Sequence, residues 1–364
     1  MKKIVFALLF LISTAYRLQS RHELDSLISI IKKNPTRDTQ FVINCNAIAY
    51  SFSRSNPDSS KLFADKALAL AKKLNYKNGL AGAYNGIGIY YHITARYDSA
   101  INYYEKARVI KDIIGDKKGS VSSQNNMGII FYLQGKYDKA LQTFNASLQT
   151  QEGMNDTIGI PNTLNYIASV HYFLSNYEKA LGFYLKSLEL YKKTNDERGL
   201  SQSYNNIGII YSELNNIDKA IENYTNSLNL ANKTGAKDLV TTCYNNLGTI
   251  FQKRKEYVKA LEYYEKSLNL SRELKINEGI AFNLEKIGQV MEEQNKPDEA
   301  MAKYKEALAI QEKAGQVYNI ASVLNSLGSL YNKLNRNEEA VTCYERALKS
   351  ASELRSKNLI AQIC

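Results

Sequence analysis

The sequence lacks several of the residues on which small folds and enzymes often depend. Among 364 residues it has no tryptophan, four prolines, four cysteines and three histidines. So few helix breakers among many good helix formers favour an all-α protein. The cysteines are scattered, with no C-x-x-C pair and no short spacing, and are interpreted as small, mostly buried residues on helices. They are Cys45, Cys243, Cys343 and Cys364.

Long hydrophobic runs are also missing, except at the start of the chain. There Lys2 and Lys3 precede an apolar run from Ile4 to Ile12, and "STA" ends at Ala15. This pattern predicts a secretory signal peptide within residues 1–20, cleaved near Ala15, and therefore a periplasmic or secreted protein. The run is too short to span a membrane comfortably. An uncleaved N-terminal membrane anchor is the alternative.

Catalytic motifs are absent as well. The sequence contains no phosphate-binding G-x-x-x-x-G-K-[ST] loop, no nucleophile elbow and no kinase signature. The histidines, His22, His92 and His171, form no pair of metal ligands on one helix face. His171 occupies the repeat position held elsewhere by Tyr211 and Phe251, which indicates a packing role. We therefore expect no enzyme, no cofactor and no metal.

What the sequence does contain is a repeat with a period of 40 residues. Six glycines share one position: Gly88, Gly128, Gly208, Gly248, Gly288 and Gly328; Ala168 fills the missing place. Twelve residues later comes an alanine in every copy: Ala100, Ala140, Ala180, Ala220, Ala260, Ala300 and Ala340. A large aromatic residue follows four residues after each alanine. A small residue, alanine or serine, comes three residues after each aromatic one. Four residue classes in one register indicate a repeat array.

The spacing within each copy predicts a helical hairpin. The repeated residues lie three or four positions apart, as in a helix, both before and after a short polar break such as "LNN". Small residues at the glycine and alanine positions would let two antiparallel helices approach closely, and the aromatic residue would fill space against the neighbouring hairpin. One such hairpin cannot bury its own apolar face, so the hairpins must stack.

The order Gly, aromatic, Ala, aromatic, Ala/Ser resembles the tetratricopeptide repeat in a 40-residue form. This resemblance implies a right-handed superhelical solenoid of about eight hairpins, over residues 36–355. Residues 21–35 would form an N-terminal capping helix, and residues 356–364 either a C-terminal cap or the start of a ninth repeat in a truncated product. The layout also resembles bacterial exported repeat proteins, many of which continue into a histidine kinase or helix-turn-helix output domain.

In this family the first helix of each hairpin lines a concave groove, which the resemblance places along an amide-rich face here. Asparagine carboxamides both donate and accept hydrogen bonds, and so could hold the backbone of an extended peptide. The alternative is that they bond the neighbouring turn. The predicted groove residues are Asn85, Asn125, Asn126, Asn165, Tyr166, Asn205, Asn206, Asn245, Asn246 and Asn325.

The net charge of +11 raises the question whether the protein binds nucleic acid. The groove positions, however, hold three lysines and four glutamates: Lys253, Lys286, Lys333, Glu213, Glu285, Glu292 and Glu293. Phosphate binding needs clustered basic residues along a track, so no specific nucleic-acid partner is expected. The basic surplus would give the outer surface a weak attraction to anionic membrane or polysaccharide.

The predicted function is that of a non-enzymatic scaffold that binds an extended segment or helix of another protein in its groove. The alternative is the sensory half of a signal-transduction protein whose output domain is absent from this chain.

Overall fold

The computed structural model describes residue 29 and residues 38–353, apart from residues 54 and 316. The predicted signal peptide (1–20) and the segment 356–364 lie outside the described residues. So does the predicted capping helix (21–35), apart from residue 29. Within the described residues the regular secondary structure is α-helical, which confirms the predicted fold class. None of the helices in that part of the chain is both long and apolar enough to cross a bilayer.

Sixteen helices follow one another between residues 39 and 353. We number them α1 (Thr39–Phe52), α2 (Pro57–Lys73), α3 (Lys77–Ile93), α4 (Tyr97–Ile113), α5 (Lys117–Leu133), α6 (Tyr137–Gly153), α7 (Gly159–Phe173), α8 (Tyr177–Thr194), α9 (Glu197–Glu213), α10 (Ile217–Lys233), α11 (Lys237–Lys253), α12 (Tyr257–Glu273), α13 (Asn277–Glu293), α14 (Pro297–Ala314), α15 (Val317–Lys333) and α16 (Asn337–Glu353). Odd numbers are first helices of the repeat and even numbers are second helices.

The helices form two compact units. The N-terminal unit extends to Leu214 and contains α1 to α9, and the C-terminal unit begins at Asn215 and contains α10 to α16. Within each unit every helix packs on the next one in the chain, and first helices also contact each other, as α5 does with α7 and α13 with α15. Each unit is therefore a row of stacked hairpins, as the 40-residue period predicts.

The turns between helices have one shared geometry. A residue with positive φ recurs every 20 residues from Asn75 to Asn335. In the turn between α3 and α4, the Arg96 N–H donates to the Tyr91 carbonyl (2.8 Å) and the Ala95 N–H donates to the His92 carbonyl (3.0 Å). This is a Schellman motif, which satisfies the last carbonyls of a helix and reverses the chain. Asparagine or glycine occupies most of these positions because both tolerate the left-handed conformation.

The repeated glycine lies directly under the repeated aromatic ring of its own hairpin. A Cβ added to Gly88 would lie 2.7 Å from a ring carbon of Tyr104, and one added to Gly288 would lie 2.7 Å from Tyr304. Tyr104 also packs against Met127 and Ile130 of the next hairpin. The expected packing against the neighbour is thus present, but the closer contact, between glycine and ring inside one hairpin, was not predicted.

The repeated alanines lie where the two helices of a hairpin approach each other. Six of them, from Ala100 to Ala300, have no exposed surface, and Ala340 is buried too. No larger side chain would fit such a position without separating the helices.

A second set of glycines went unrecognised in the sequence. Gly79, Gly119, Gly159, Gly199 and Gly279 also recur at multiples of 40. They lie near the start of their first helices. A Cβ added to Gly79 would lie 2.5 Å from Val42, and one added to Gly279 would lie 2.7 Å from Ser271 Oγ, both on earlier helices. At Gly119 an added Cβ would instead meet Asp116, which caps the same helix. The signal was present in the spacing, but Leu239 and Asn319 interrupt it.

Candidate partner-binding face

The first helices carry all the predicted groove residues. We count positions from the repeated glycine, so that Asn85 is at −3, Asn126 is at −2 and Phe173 is at +5. Successive helical turns bring −3, −2, +1, +4 and +5 towards the neighbouring first helices or towards solvent. We call this surface the first-helix face and describe it separately in each unit.

The asparagines at −3 lie between neighbouring first helices. Asn125 is buried, and its Nδ2 donates to Thr163 Oγ1 of the next hairpin at 2.9 Å. Asn205 and Asn245 are also buried, whereas Asn85, Asn165 and Asn325 are half-buried. The Oδ1 atoms of Asn125, Asn165 and Asn245 are buried without a hydrogen-bond partner. Asn125 therefore joins its hairpin to the next one, and the three unbonded Oδ1 atoms retain acceptor capacity.

The residues at −2 differ among themselves. Asn126 is half-buried, and its Nδ2 lies 3.5 Å from Asn85 Oδ1 in the preceding hairpin. Asn246 is half-buried, but Asn206 is only 3% exposed. Tyr166 stacks on the buried Phe144 with ring centroids 5.2 Å apart, and burial raises its pKa. Only part of the predicted amide ladder is thus open to solvent, and its role in binding stays a prediction.

Positions −3 and −2 of adjacent hairpins also pair in the C-terminal unit. There Ser326 Oγ donates to Glu285 Oε1 at 3.0 Å, and Ser322 Oγ donates to the same oxygen at 3.2 Å. Lys286 donates to Gln289 Oε1 at 2.9 Å, and burial lowers the pKa of its ammonium group, opposed by Glu285 and Glu293. Charged residues thus replace carboxamides at these positions in α13.

Position +4 of one first helix meets position +5 of the next, 41 residues later. In the N-terminal unit Tyr132 meets Phe173 edge to face, with ring centroids 5.1 Å apart. At the end of that unit the Tyr172 hydroxyl donates to Glu213 Oε1 at 3.4 Å. We call this line of contacts the +4/+5 seam.

In the C-terminal unit the same seam is polar. Gln252 Nε2 donates to Glu293 Oε1 at 2.7 Å, and Lys333 Nζ pairs with Glu292 Oε1 at 2.7 Å. Glu292 also accepts from the Tyr304 hydroxyl, whose pKa is raised by burial and by that carboxylate. Of the groove charges noted in the sequence, Lys333 and Glu292 therefore form an ion pair, while Glu293 bonds to the neutral Gln252.

Among the histidines considered for metal binding, His171 packs against an aromatic ring and His22 lies outside the described residues. The His171 ring stacks on Phe183 with centroids 5.6 Å apart, and burial lowers the pKa of its imidazole. Among residues 38–353 there is no group of three or more His, Cys, Asp or Glu side chains placed to hold a metal ion. Cys45, Cys243 and Cys343 are buried and unpaired, as predicted, and Cys364 lies outside the described residues.

Comparison with known proteins identifies the class of fold. Two family models, both described as tetratricopeptide repeat, match the chain. One matches residues 159–233 and 239–313, and the other matches residues 81–107 and 321–353. The chain belongs to the tetratricopeptide-repeat family. Comparison with curated proteins found no match.

Solved structures agree with this fold. A Rap protein complexed with Competence and Sporulation Factor has a TM-score of 0.63 at 15% identity, and the match covers 95% of this chain and 96% of that one. The apo form of RapI has a TM-score of 0.59 at 19% identity, covering 75% and 97%. A signal transduction ATPase with a tetratricopeptide repeat sensor, from Pyrococcus horikoshii, has a TM-score of 0.63 at 16% identity, covering 98% and 56%.

Proposed function

We propose that this protein is a non-enzymatic interaction scaffold whose first-helix face binds an extended segment or a helix of a partner protein. The family membership supports a binding role, since stacked repeats create extended concave surfaces with which such proteins bind partners. The Rap protein whose structure resembles this chain was solved in complex with Competence and Sporulation Factor.

The observation that carries the proposal is the pair Asn85 and Asn126. Both side chains are half-buried, and their mutual hydrogen bond is 3.5 Å long, at the outer limit for such a bond. Each carboxamide therefore keeps donor and acceptor capacity that solvent now satisfies. A peptide backbone, with its alternating N–H and C=O groups, can replace that solvent at little cost.

Charge supports a protein partner over a nucleic acid. The lysines of the first-helix face that have described contacts, Lys286 and Lys333, bond to Gln289 and Glu292 of the same face. A polyanion would have to compete with these contacts. Binding to the first-helix face should therefore depend little on salt.

A second candidate function is the sensor part of a larger signalling protein. The matching signal transduction ATPase carries a tetratricopeptide repeat sensor, and the match covers 98% of this chain but 56% of that protein. Sequencing the transcript beyond the codon for Cys364 tests this idea, because an in-frame kinase, ATPase or DNA-binding domain is required.

We also propose that the chain is exported. The support is the basic and apolar start of the sequence, from Lys2 to Ala15. The intact mass of the native protein should then lack about the first 15–20 residues. A native protein that retains Met1 in the cytosol would overturn this proposal.

The binding proposal can be tested with a display library of random peptides selected against the full chain. The best selected peptide is then titrated against the parent, the double variant Asn85→Ala/Asn126→Ala, and the control Asn102→Ala. Asn102 is exposed on the second helix α4, away from the first-helix face. Losing two hydrogen bonds should weaken binding by about 1–3 kcal/mol, or about 5- to 150-fold. The control should bind like the parent.

Two results would contradict the proposed function. One is a selection that yields no peptide above background. The other is a peptide whose affinity ignores both asparagines and falls steeply as salt rises, which would place the binding surface on the basic second helices and loops.

A further inference from the structure

The residues at position +5 of the +4/+5 seam change from apolar to charged along the chain. In α3, α5 and α7, position +5 is Ile93, Leu133 and Phe173, whereas in α11, α13 and α15 it is Lys253, Glu293 and Lys333. The exposed fraction is 41% for Ile93 and 38% for Leu133, and Phe173 is half-buried. The helices α3, α5 and α7 of the N-terminal unit therefore show apolar side chains to solvent at a position where later repeats, from Glu213 of α9 onwards, carry charges.

Aromatic rings pack against Phe173. Tyr132 is nearly buried and contacts Phe173, which also meets Tyr172 edge to face at 5.4 Å. Tyr137 stacks on Phe173 at 6.5 Å. Leu174 adds a further exposed leucine at the end of α7. We call this surface the apolar seam; it comprises Ile93, Tyr132, Leu133, Tyr172, Phe173 and Leu174.

Charged side chains are missing from the stretches of α3, α5 and α7 that carry the apolar seam, although α3 begins at Lys77 and α5 begins with Lys117 and Lys118. Residues 78–95, 119–135 and 157–177 contain no lysine, arginine, aspartate or glutamate. A charged side chain placed over Leu133 or Phe173 would lose hydration and find no opposite charge within these stretches. Two carboxylates of other helices bond to the stretches: Glu213 to Tyr172 and Asp98 to Gln134. An apolar side chain would remove both its own surface and the exposed leucines from water. The uncharged middle of the seam, around Leu133 and Phe173, thus favours an apolar occupant.

We infer that the apolar seam of the N-terminal unit binds the apolar anchor side chains (leucine, isoleucine, methionine or phenylalanine) of the partner's segment. This inference rests on the proposed function and adds to it the chemical class of the partner. The half-buried Asn85 and Asn126 would hold the segment's backbone, while the seam would select its side chains.

The repeat itself supplies substitutions that test this assignment. Position +5 holds glutamate in α9 and α13 and lysine in α11 and α15, so Leu133→Glu and Leu133→Lys introduce residues that this position accepts elsewhere. The matched control is Leu62→Glu. Leu62 is an exposed leucine of the same unit, on the second helix α2, at the position of Glu222 and Glu262.

The probe is the set of peptides selected from the random display library on the full chain. We expect these peptides to be rich in leucine, isoleucine, methionine and phenylalanine. Leu133→Glu and Leu133→Lys should each weaken their binding by about tenfold or more, because a buried anchor contact is lost. Leu62→Glu should bind like the parent, and circular dichroism should show the same helicity in all variants.

Each other outcome overturns the inference in a distinguishable way. If the selected peptides are acidic and Leu133→Lys strengthens their binding, the seam acts by charge and not by apolar contact. If binding depends on Asn85 and Asn126 but ignores Leu133, the proposed function stands and this inference fails. If Leu133→Lys instead abolishes self-association measured by sedimentation and no peptide competes, the occupant is a second copy of the chain. If no peptide is selected, both proposals fail.

Discussion

The ring of Phe144 lies over Gly128 so closely that a Cβ on this glycine would come within 2.5 Å of a ring carbon. The two residues belong to the first and second helix of one hairpin, α5 and α6. Glycine inside a helix costs about 1 kcal/mol relative to alanine. Its presence here is explained by the ring, which leaves no room for a side chain at this position.

Gly128→Ala should destabilise the protein by about 1–3 kcal/mol, because the added methyl group forces the ring or the helix to move. The measurement is the urea midpoint followed by circular dichroism. Gly182→Ala is the control: Gly182 lies inside α8 with nothing within 4 Å of an added Cβ. That change should instead stabilise by about 0.5–1 kcal/mol. Equal effects of the two changes would contradict the close packing.

Ala95→Gly should stabilise the protein by about 1 kcal/mol. Ala95 has φ +56° in the turn after α3, a conformation that costs a residue with a Cβ roughly 1–2 kcal/mol. The reverse change, Gly135→Ala, should destabilise by a similar amount, although an added Cβ would meet nothing within 4 Å, because φ there is +72°. Thermal melts of both variants test this pair; shifts of the same sign would rule out backbone strain as the cause.

Cys45 and Cys243 should resist alkylation by iodoacetamide at pH 8 while the protein is folded. Burial raises the pKa of the Cys45 thiol to about 11 and that of Cys243 to about 12. Only about one thiol in a thousand, or fewer, is then the reactive thiolate. Peptide mass spectrometry reads the labelling at each site, and the same protein in denaturant serves as the control. Native labelling as fast as in denaturant would show that these thiols are not buried.

Much of the fold could be predicted from residue spacing. Because the repeat keeps glycine, alanine and aromatic residues in one register, it predicts the helices, their pairing into hairpins and the need to stack. The sixteen helices between residues 39 and 353 and their sequential packing within each unit confirm this. The second glycine set, from Gly79 to Gly279, was equally legible but was missed because two copies lack it.

The candidate site was less predictable. The sequence marks Asn126 and Asn206 as equivalent, yet the first is half-buried and the second is only 3% exposed. Likewise, the carboxamide of Asn125 is bonded to Thr163 in the next hairpin. Exposure at a repeated position depends on the sizes of neighbouring side chains in other hairpins, which periodicity does not encode.

By itself the sequence determined which residues are equivalent, since a fixed period and helical spacing assign every residue to a helix and a face. Only the tertiary structure decided which positions of neighbouring repeats touch. The contacts of Tyr132 with Phe173, of Gln252 with Glu293 and of Glu292 with Lys333 each join residues 41 apart. That offset follows from the rotation and translation between stacked hairpins, which packing of side chains sets and local periodicity leaves open.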